Sequence, residues 1–287
     1  MNDRPLEHFG LKARPFEIVT DPRFFYASRA HEEALARLLY MVDQGSMYFG
    51  MLTGEIGAGK SITRRVFGER IERRRHFVVE FENSAFPFGE LMRRLLAKAG
   101  YEPAALPPAD DAAGLFEAVA GLASALGREQ GRQLVLLFDE AQDLGRAELE
   151  QLKRLSNLNG EIEGRLTCVL IGQPELRTQV AALPALDQRV SLRFHLGQLG
   201  EDEVAPYLGN RLRVAGHPDG NLFEEAAVAE LFSASRGVPR EINRLAKLSL
   251  DAAASTGKTP IGKDEVARVI NDLREHQSLP PLQPFAR

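Results

Sequence analysis

The chain has little that would tie it to an oxidising compartment or a lipid bilayer. Its 287 residues include one cysteine, Cys168. That excludes an internal disulfide framework and fits a reducing compartment. Cys168 lies inside an apolar run and reads as a small buried hydrophobe. No apolar stretch approaches the roughly 20 residues of a membrane-spanning helix. The polar start Met1-Asn2-Asp3-Arg4-Pro5 is no signal peptide. The expectation is a cytoplasmic protein without direct membrane insertion, one that would be held at an inner membrane only by a partner. Neither sign of charge dominates. With a formal net charge of -4 no global basic field advertises nucleic acid, and only a local basic face could do so. Internal repeats and low-complexity blocks are also missing. What is present, 44% hydrophobic and 26% charged residues, is enough to build one large domain or two modest ones.

The most informative stretch is Gly54-Glu55-Ile56-Gly57-Ala58-Gly59-Lys60-Ser61. It has the G-x-x-x-x-G-K-[ST] pattern of a phosphate-binding P-loop. Its context fits. Residues 48–53 form a short apolar run that reads as a buried strand. Ile62, Val66 and Ile71 then recur near helical spacing. Strand, glycine loop and helix is the order the chemistry needs. The glycines let backbone N–H groups turn inward around phosphates, and the new helix points its positive end at them. Lys60 would reach the β- and γ-phosphates of ATP, Ser61 would place its hydroxyl on Mg²⁺, and Ile62 closes the nucleotide-contacting stretch.

A second signature follows about eighty residues later. Residues 134–140 are an apolar strand ending in Asp139 and Glu140. A buried strand that delivers two acids at its C-terminal end suits Asp139 to hold Mg²⁺ through water and Glu140 to orient an attacking water. Further strands are expected over 76–82, 166–172 and 188–196, and helices over 30–44, 88–98, 112–127 and 147–157. Alternating strands and helices imply a parallel sheet covered on both faces. Gln173 follows the 166–172 strand and is a candidate γ-phosphate sensor. Arg189 stands just before the last strand. Ahead of the P-loop, prolines and aromatics between His8 and His31 read as an extended segment packed on the domain. They offer either a base pocket or packing alone.

After residue 198 strand signals stop. Residues 201–214, 224–234, 239–254 and 263–274 read as helices of a small all-α lid, and 276–287, with three prolines, as a loose tail. The expected architecture is therefore α/β, a three-layer αβα P-loop NTPase domain over residues 1–198 followed by an all-α lid over 199–275. The run Arg70 to Arg75 suits either a solvated helix end or a nucleic-acid patch.

Taken together, "FGL…PF…DPRFFYAS…HEEALARL", "LTGEIGAGKS", "LLFDEAQDL", "LKRLSNLNGEI", "VLIGQPEL", "LDQRVSLRFHL" and "SRGVPREINRL" resemble AAA+ ATPases of the general secretion pathway protein A (ExeA) type, over nearly the whole chain. The resemblance implies an ATP- and Mg²⁺-dependent hydrolase. In it Lys60 and Ser61 match Walker A, Asp139 and Glu140 match Walker B, and Gln173 matches sensor 1. Arg240 of the G-x-P-R motif matches the sensor-2 arginine, and Pro239 fixes its place at a helix start. Arg189, with Arg193 as second choice, looks like the arginine finger received by a neighbouring subunit. A homo-oligomer with active sites at subunit interfaces is thereby implied. Secretion members continue into a membrane span and a cell-wall-binding region, whereas this sequence is expected to stop after the lid. Similar stand-alone ATPases, of the TniB and MuB type, bind DNA as ATP-bound oligomers and recruit a transposase. The expected role is thus assembly or remodelling of a partner complex, with an ATP-dependent DNA-binding oligomer as the alternative.

Overall fold

The computed structural model describes residues 4–17, 20–157 and 165–276. The expected tail beyond 276, the first three residues and part of the "LSNLNGEI" motif lie outside the described residues. In chain order the elements are α1 (Arg4–Phe9), α2 (Arg29–Gln44), β1 (Phe49–Gly54), α3 (Lys60–Arg70), β2 (His76–Phe81), α4 (Phe88–Lys98), α5 (Ala112–Gln130), β3 (Gln133–Phe138), α6 (Arg146–Leu155), β4 (Leu166–Gly172), α7 (Glu175–Ala181), α8 (Pro184–Asp187) and β5 (Val190–Leu196). Four helices follow, α9 (Glu201–Val214), α10 (Glu225–Ser235), α11 (Pro239–Thr256) and α12 (Lys263–Glu275).

Two compact units divide these elements. One comprises Glu32–Ile56 and Thr63–Leu196. The other takes the described residues up to His31, Gly57–Ile62 and the described residues from Gly197 on. This cuts the chain differently from the boundary at residue 198 expected from the sequence, because the N-terminal segment shares a core with the C-terminal helices.

In the sheet unit, five parallel strands lie in the order β2-β3-β4-β1-β5. β1 pairs with β4 from Phe49 opposite Cys168 to Thr53 opposite Gly172, and β3 pairs with β4 up to Phe138 opposite Leu170. A register shift between Phe49 and Gly50 interrupts the pairing of β1 with β5. The burial pattern follows from this order. β1, β3 and β4 are inner strands covered on both faces and are buried at every residue. That is why they stand out in the sequence as unbroken apolar runs. The edge strand β5 alternates, with Arg193 and His195 exposed, which also blunts the edge against stray pairing. Flanking helices supply the rest of the core, including Phe88, Leu91, Leu115, Leu149 and Leu152 packed with Leu134 and Phe138. Because all strands run the same way, their C-terminal ends Gly54, Phe138 and Gly172 share one edge. In open parallel sheets that edge carries the ligand site.

The helical unit packs Phe9, Leu11 and Phe16 into one core with Leu208, Ile242 and Ile270. Arg211, buried within α9, ties the N-terminal segment down. Its Nε donates to the Pro15 carbonyl at 2.6 Å and its Nη2 to the Glu17 carbonyl at 2.7 Å, while the guanidinium lies 5.0 Å from the Phe24 ring centroid. Helix α9 starts with Glu201, Asp202 and Glu203, and Glu203 Oε2 accepts from the Gly200 N–H at 3.0 Å. Acids in the first turn and a reciprocal cap are what a helix N-terminus favours. Among the described residues no helix is long and apolar enough to cross a membrane.

Candidate nucleotide-binding and hydrolysis site

Strand β1 ends at Gly54 and α3 begins at Lys60, so the glycine motif forms the loop between them. Two of its glycines are required by conformation and by space. Gly57 has φ +85° and Gly59 φ +99°, in the left-handed region that side chains disfavour. A Cβ on Gly57 would stand 2.6 Å from Arg240 Cβ, and one on Gly59 2.6 Å from His31 Nε2. The loop is thus held in shape by two neighbours.

One neighbour is Arg240, which the sequence marks. Pro239 opens α11, and the Arg240 N–H donates to the Gly57 carbonyl at 3.3 Å. Arg240 is therefore joined by backbone to the glycine loop, and its side chain is exposed. Lys60 is buried. Glu55 and Ile56 at the start of the loop are exposed, Ser61 and Ile62 half-buried.

The other neighbour, His31, was not assigned a role from the sequence. It is buried, with its Nδ1 2.6 Å from Ser28 Oγ, a hydrogen bond to the Ala58 backbone, and the Phe25 ring edge-on at 5.7 Å. Burial lowers its pKa to about 4, so the ring is neutral at pH 7. Its backbone N–H bonds Ser28 Oγ at 3.3 Å in the first turn of α2. The Ser-x-x-His spacing at a helix start was the available signal. Of the aromatics ahead of the P-loop, Phe9, Phe16 and Phe24 are buried in the helical unit, whereas Phe25 and Tyr26 are half-buried.

In the sheet unit, β3 ends at Phe138 and the two acids occupy the turn that follows. Asp139 is buried. Its Oδ2 accepts from Arg64 Nε at 2.9 Å and its Oδ1 from the Glu140 N–H at 3.0 Å. Ser84 Oγ donates to its carbonyl at 2.6 Å. Burial pushes the Asp139 carboxyl above its usual range, and the Arg64 guanidinium pulls it back down. Arg64 also pairs with Glu80. It too went unassigned from the sequence, although it stands four residues after Lys60 on α3, one helical turn on.

Glu140 has φ +49°, the left-handed conformation at a non-glycine residue, a geometry that recurs where function fixes a side chain. Its Oε2 accepts from Gln142 Nε2 at 2.8 Å. Gln142 Oε1 in turn accepts from the Gln173 N–H at 3.0 Å. The structure thus joins Glu140 and Gln173 through a residue the sequence did not single out.

The two candidate fingers differ. Arg189 is half-buried, and its Nη1 donates to the Lys153 carbonyl at 2.8 Å and to Ser156 Oγ at 2.5 Å, at the end of α6. Arg193 is exposed and pairs with Asp187 Oδ1 at 2.9 Å. Cys168 is buried on β4, where burial pushes its thiol up to about 12, so it is unreactive.

Among the described residues no group of three or more His, Cys, Asp or Glu side chains could hold a metal ion. A lone buried carboxylate such as Asp139 is no argument against Mg²⁺, which keeps waters and takes phosphate oxygens instead of an all-protein cage.

Residues 43–180 match the AAA domain family. General secretion pathway protein A of Aeromonas hydrophila is 35% identical over 270 residues, which are 91% of this chain and 47% of that protein. The chain spans about half the length of the curated relative it matches. Among solved structures, the ORC2 protein of Aeropyrum pernix superposes with a TM-score of 0.68 at 18% identity, over 94% of this chain and 75% of that one. The CDC6P protein of Pyrobaculum aerophilum gives 0.63 at 17%, over 92% and 73%. The RuvB Holliday junction branch migration motor of Thermotoga maritima gives 0.55 at 18%, over 85% and 68%. At these identities the likeness is one of fold.

Proposed function

We propose that this chain, whose residues 43–180 match the AAA domain family, binds ATP with Mg²⁺, hydrolyses it, and uses the cycle to assemble or remodel a partner complex as a homo-oligomer. The observation that carries the reading is the bond from the Arg240 N–H to the Gly57 carbonyl. It fixes a cation carrier from the lid to the phosphate loop, where charge shifts during phosphoryl transfer. In this reading the loop from Gly54 to Ile62 holds the phosphates, with Lys60 as its cation. Ser61 and Asp139 hold Mg²⁺, Glu140 orients and polarises water, and Gln173 and Arg240 face the γ-phosphate. Phe25 and Tyr26 are the aromatic faces left for the base. Similarity to general secretion pathway protein A supports a secretion or envelope complex as the client, met in the cytoplasm or at the inner membrane through a partner.

A second reading is an ATP-dependent DNA-binding oligomer. It is favoured by the exposed side chains of Arg70, Arg73, Arg74 and Arg75 at the end of α3 and beyond. Within the same fold, the ORC1 protein of Aeropyrum pernix has been solved in complex with DNA. DNA binding of this kind should weaken steeply with salt.

The test is Mg²⁺-dependent phosphate release by the purified chain, with Glu140→Gln beside it. That variant keeps shape and removes charge. It is expected to bind ATP normally and to hydrolyse it ~10²–10⁴-fold more slowly. The trapped variant, used as bait, separates the two readings. A protein retained in an ATP-dependent manner supports the first reading, and salt-sensitive DNA retention supports the second. A wild-type chain without Mg²⁺-dependent turnover at any concentration would falsify the hydrolase assignment.

A further inference from the structure

Gln142 uses both ends of its side-chain amide and its backbone carbonyl around the turn that follows β3. Its Nε2 donates to Glu140 Oε2 at 2.8 Å, its Oε1 accepts from the Gln173 N–H at 3.0 Å, and its backbone carbonyl accepts from Gln179 Nε2 at 2.8 Å. The turn containing it, Ala141–Asp143, is thereby tied both to the end of β4 and to α7. Space has been left for this. A Cβ on Gly172, the last residue of β4, would stand 2.6 Å from Gln142 Oε1 and 3.2 Å from its backbone N. The side chain can lie against the strand end only because residue 172 has none.

The chemistry of the amide suits the position. It donates to a carboxylate at one end and accepts from a peptide N–H at the other. A glutamate there would accept from Gln173 but repel Glu140. A lysine would donate to Glu140 but could not accept. An alanine would release both. Glu140 sits in the left-handed region, so its backbone direction is fixed, and Gln142 Nε2 donates to its carboxylate.

We propose that Gln142 is a positioning residue that locks the Glu140 carboxylate to the Gln173 peptide, so that the water-orienting group moves with the tip of β4. This rests on the reading of Glu140 and Gln173 given above. A shift of the Gln173 peptide when that residue meets a γ-phosphate would be passed to Glu140 through one amide. Hydrolysis would then follow occupancy of the β4 tip, while nucleotide affinity, set by the P-loop, would not.

The experiment compares Gln142→Ala and Gln142→Glu in the full chain, with Glu140→Gln and the double variant Glu140→Gln/Gln142→Ala. ATP affinity is read from a fluorescent analogue, kcat and KM from phosphate release, and folding from thermal melts. Gln142→Ala is expected to lower kcat by about 10–100-fold, the range for misplacing a reacting group by about 1 Å, with ATP affinity unchanged. Gln142→Glu, of the same size, should be at least as slow. In the Glu140→Gln background, Gln142→Ala should have no further effect, because the group it positions is gone. Wild-type kcat in a folded Gln142→Ala or Gln142→Glu overturns the proposal. So does an equal loss with and without Glu140, which would place the action of Gln142 elsewhere. If Glu140→Gln itself hydrolyses at the wild-type rate, the reading of Glu140 fails first and this inference with it, a result distinct from a silent Gln142.

Discussion

Arg64 Nε donates to Asp139 Oδ2 at 2.9 Å, and the two side chains are only 8% and 7% exposed. A carboxylate that dry needs a counter-charge, and α3 supplies it from four residues past Lys60. Loss of one partner from a buried pair leaves the other charge uncompensated, which typically costs about 3–5 kcal/mol. Arg64→Leu is therefore expected to destabilise the chain strongly, and in a pH-dependent way. Burial raises the folded-state pKa of Asp139 above its ordinary value. A raised acid favours the fold below its unfolded pKa, and that contribution is lost as pH rises through the folded value. Without Arg64 the folded value rises further. The loss of stability on substitution should therefore be smaller at pH 5 than at pH 8 in urea melts. A loss equal at both pH values would show that Asp139 does not depend on Arg64.

His31 gives the opposite slope. Its pKa in the folded chain is about 4 against an ordinary 6.5. The stability linked to its neutral form is thus complete above 6.5 and is lost as pH falls toward 4. The shift corresponds to roughly 3 kcal/mol across that window, at 1.36 kcal/mol per pKa unit. His31→Gln, which cannot titrate, should flatten the stability profile between pH 6.5 and pH 4. Because His31 bonds the Ala58 backbone and touches Gly59, acid should also weaken ATP binding in the wild type more than in the variant. Parallel profiles for the two proteins would remove His31 as the source of acid sensitivity.

How much of this was legible beforehand depended on the kind of force involved. β4 was read at its observed bounds, and β1 and β3 within one residue at each end apart from the two acids, because strands covered on both faces must be apolar throughout. The α4 and α9 bounds match as well, since their buried stripes keep helical spacing. Three elements went unread: α1, α7 and α8, of 6, 7 and 4 residues. They are too short to show a period. From the sequence the N-terminal segment reads only as packed on the domain, because Phe9 and Phe16 say that they are buried but not in which core. Lys60, Asp139 and Arg240 stand in motifs and can be named from the sequence. Arg64 and Gln142 stand in no such pattern, since their partners lie across a turn or on distant elements, and for His31 the one local signal is Ser28 three residues before it.

The phosphate loop can be tested at Gly57 independently of its lysine. Lys60→Ala removes the loop's cation and should weaken ATP binding by roughly 10–100-fold, the range of one charge-assisted hydrogen bond. Gly57→Ala keeps the cation. It forces a side chain into φ +85° and against the Arg240 Cβ, which is anchored to the loop by its own backbone. Weaker ATP binding is expected again, and the further loss caused by Gly57→Ala should be smaller in an Arg240→Gly background, where the clash is gone along with the arginine. Calorimetric titration of the single and double variants checks this. Unchanged affinity in Lys60→Ala would show that this loop is not the phosphate site.

The assembly prediction concerns Arg189 and Arg193. If either acts across a subunit interface, the active site is complete only in an oligomer, and specific ATPase activity should rise with protein concentration. Arg189 already bonds the Lys153 carbonyl and Ser156 Oγ, so to reach a neighbour's phosphate it must leave the C-terminal end of α6. Arg193 would leave its pair with the Asp187 carboxylate and its bond to the Asp187 carbonyl at 2.6 Å. An arginine finger can be worth ~10³–10⁵ in rate. The alanine variant of the true finger should thus bind ATP and stay nearly inactive, whereas the other should lose little. Mixing the inactive variant with Lys60→Ala, itself inactive, should restore part of the activity, since one subunit then lends the arginine and the other an intact loop. Restoration with Arg189→Ala would mean that the bonds to α6 are a resting position. Restoration only with Arg193→Ala would make those bonds a structural cap and shift the finger to the edge strand. Activity per subunit that ignores concentration, together with a mixture that stays dead, removes both arginines from catalysis and leaves a site that works within one chain.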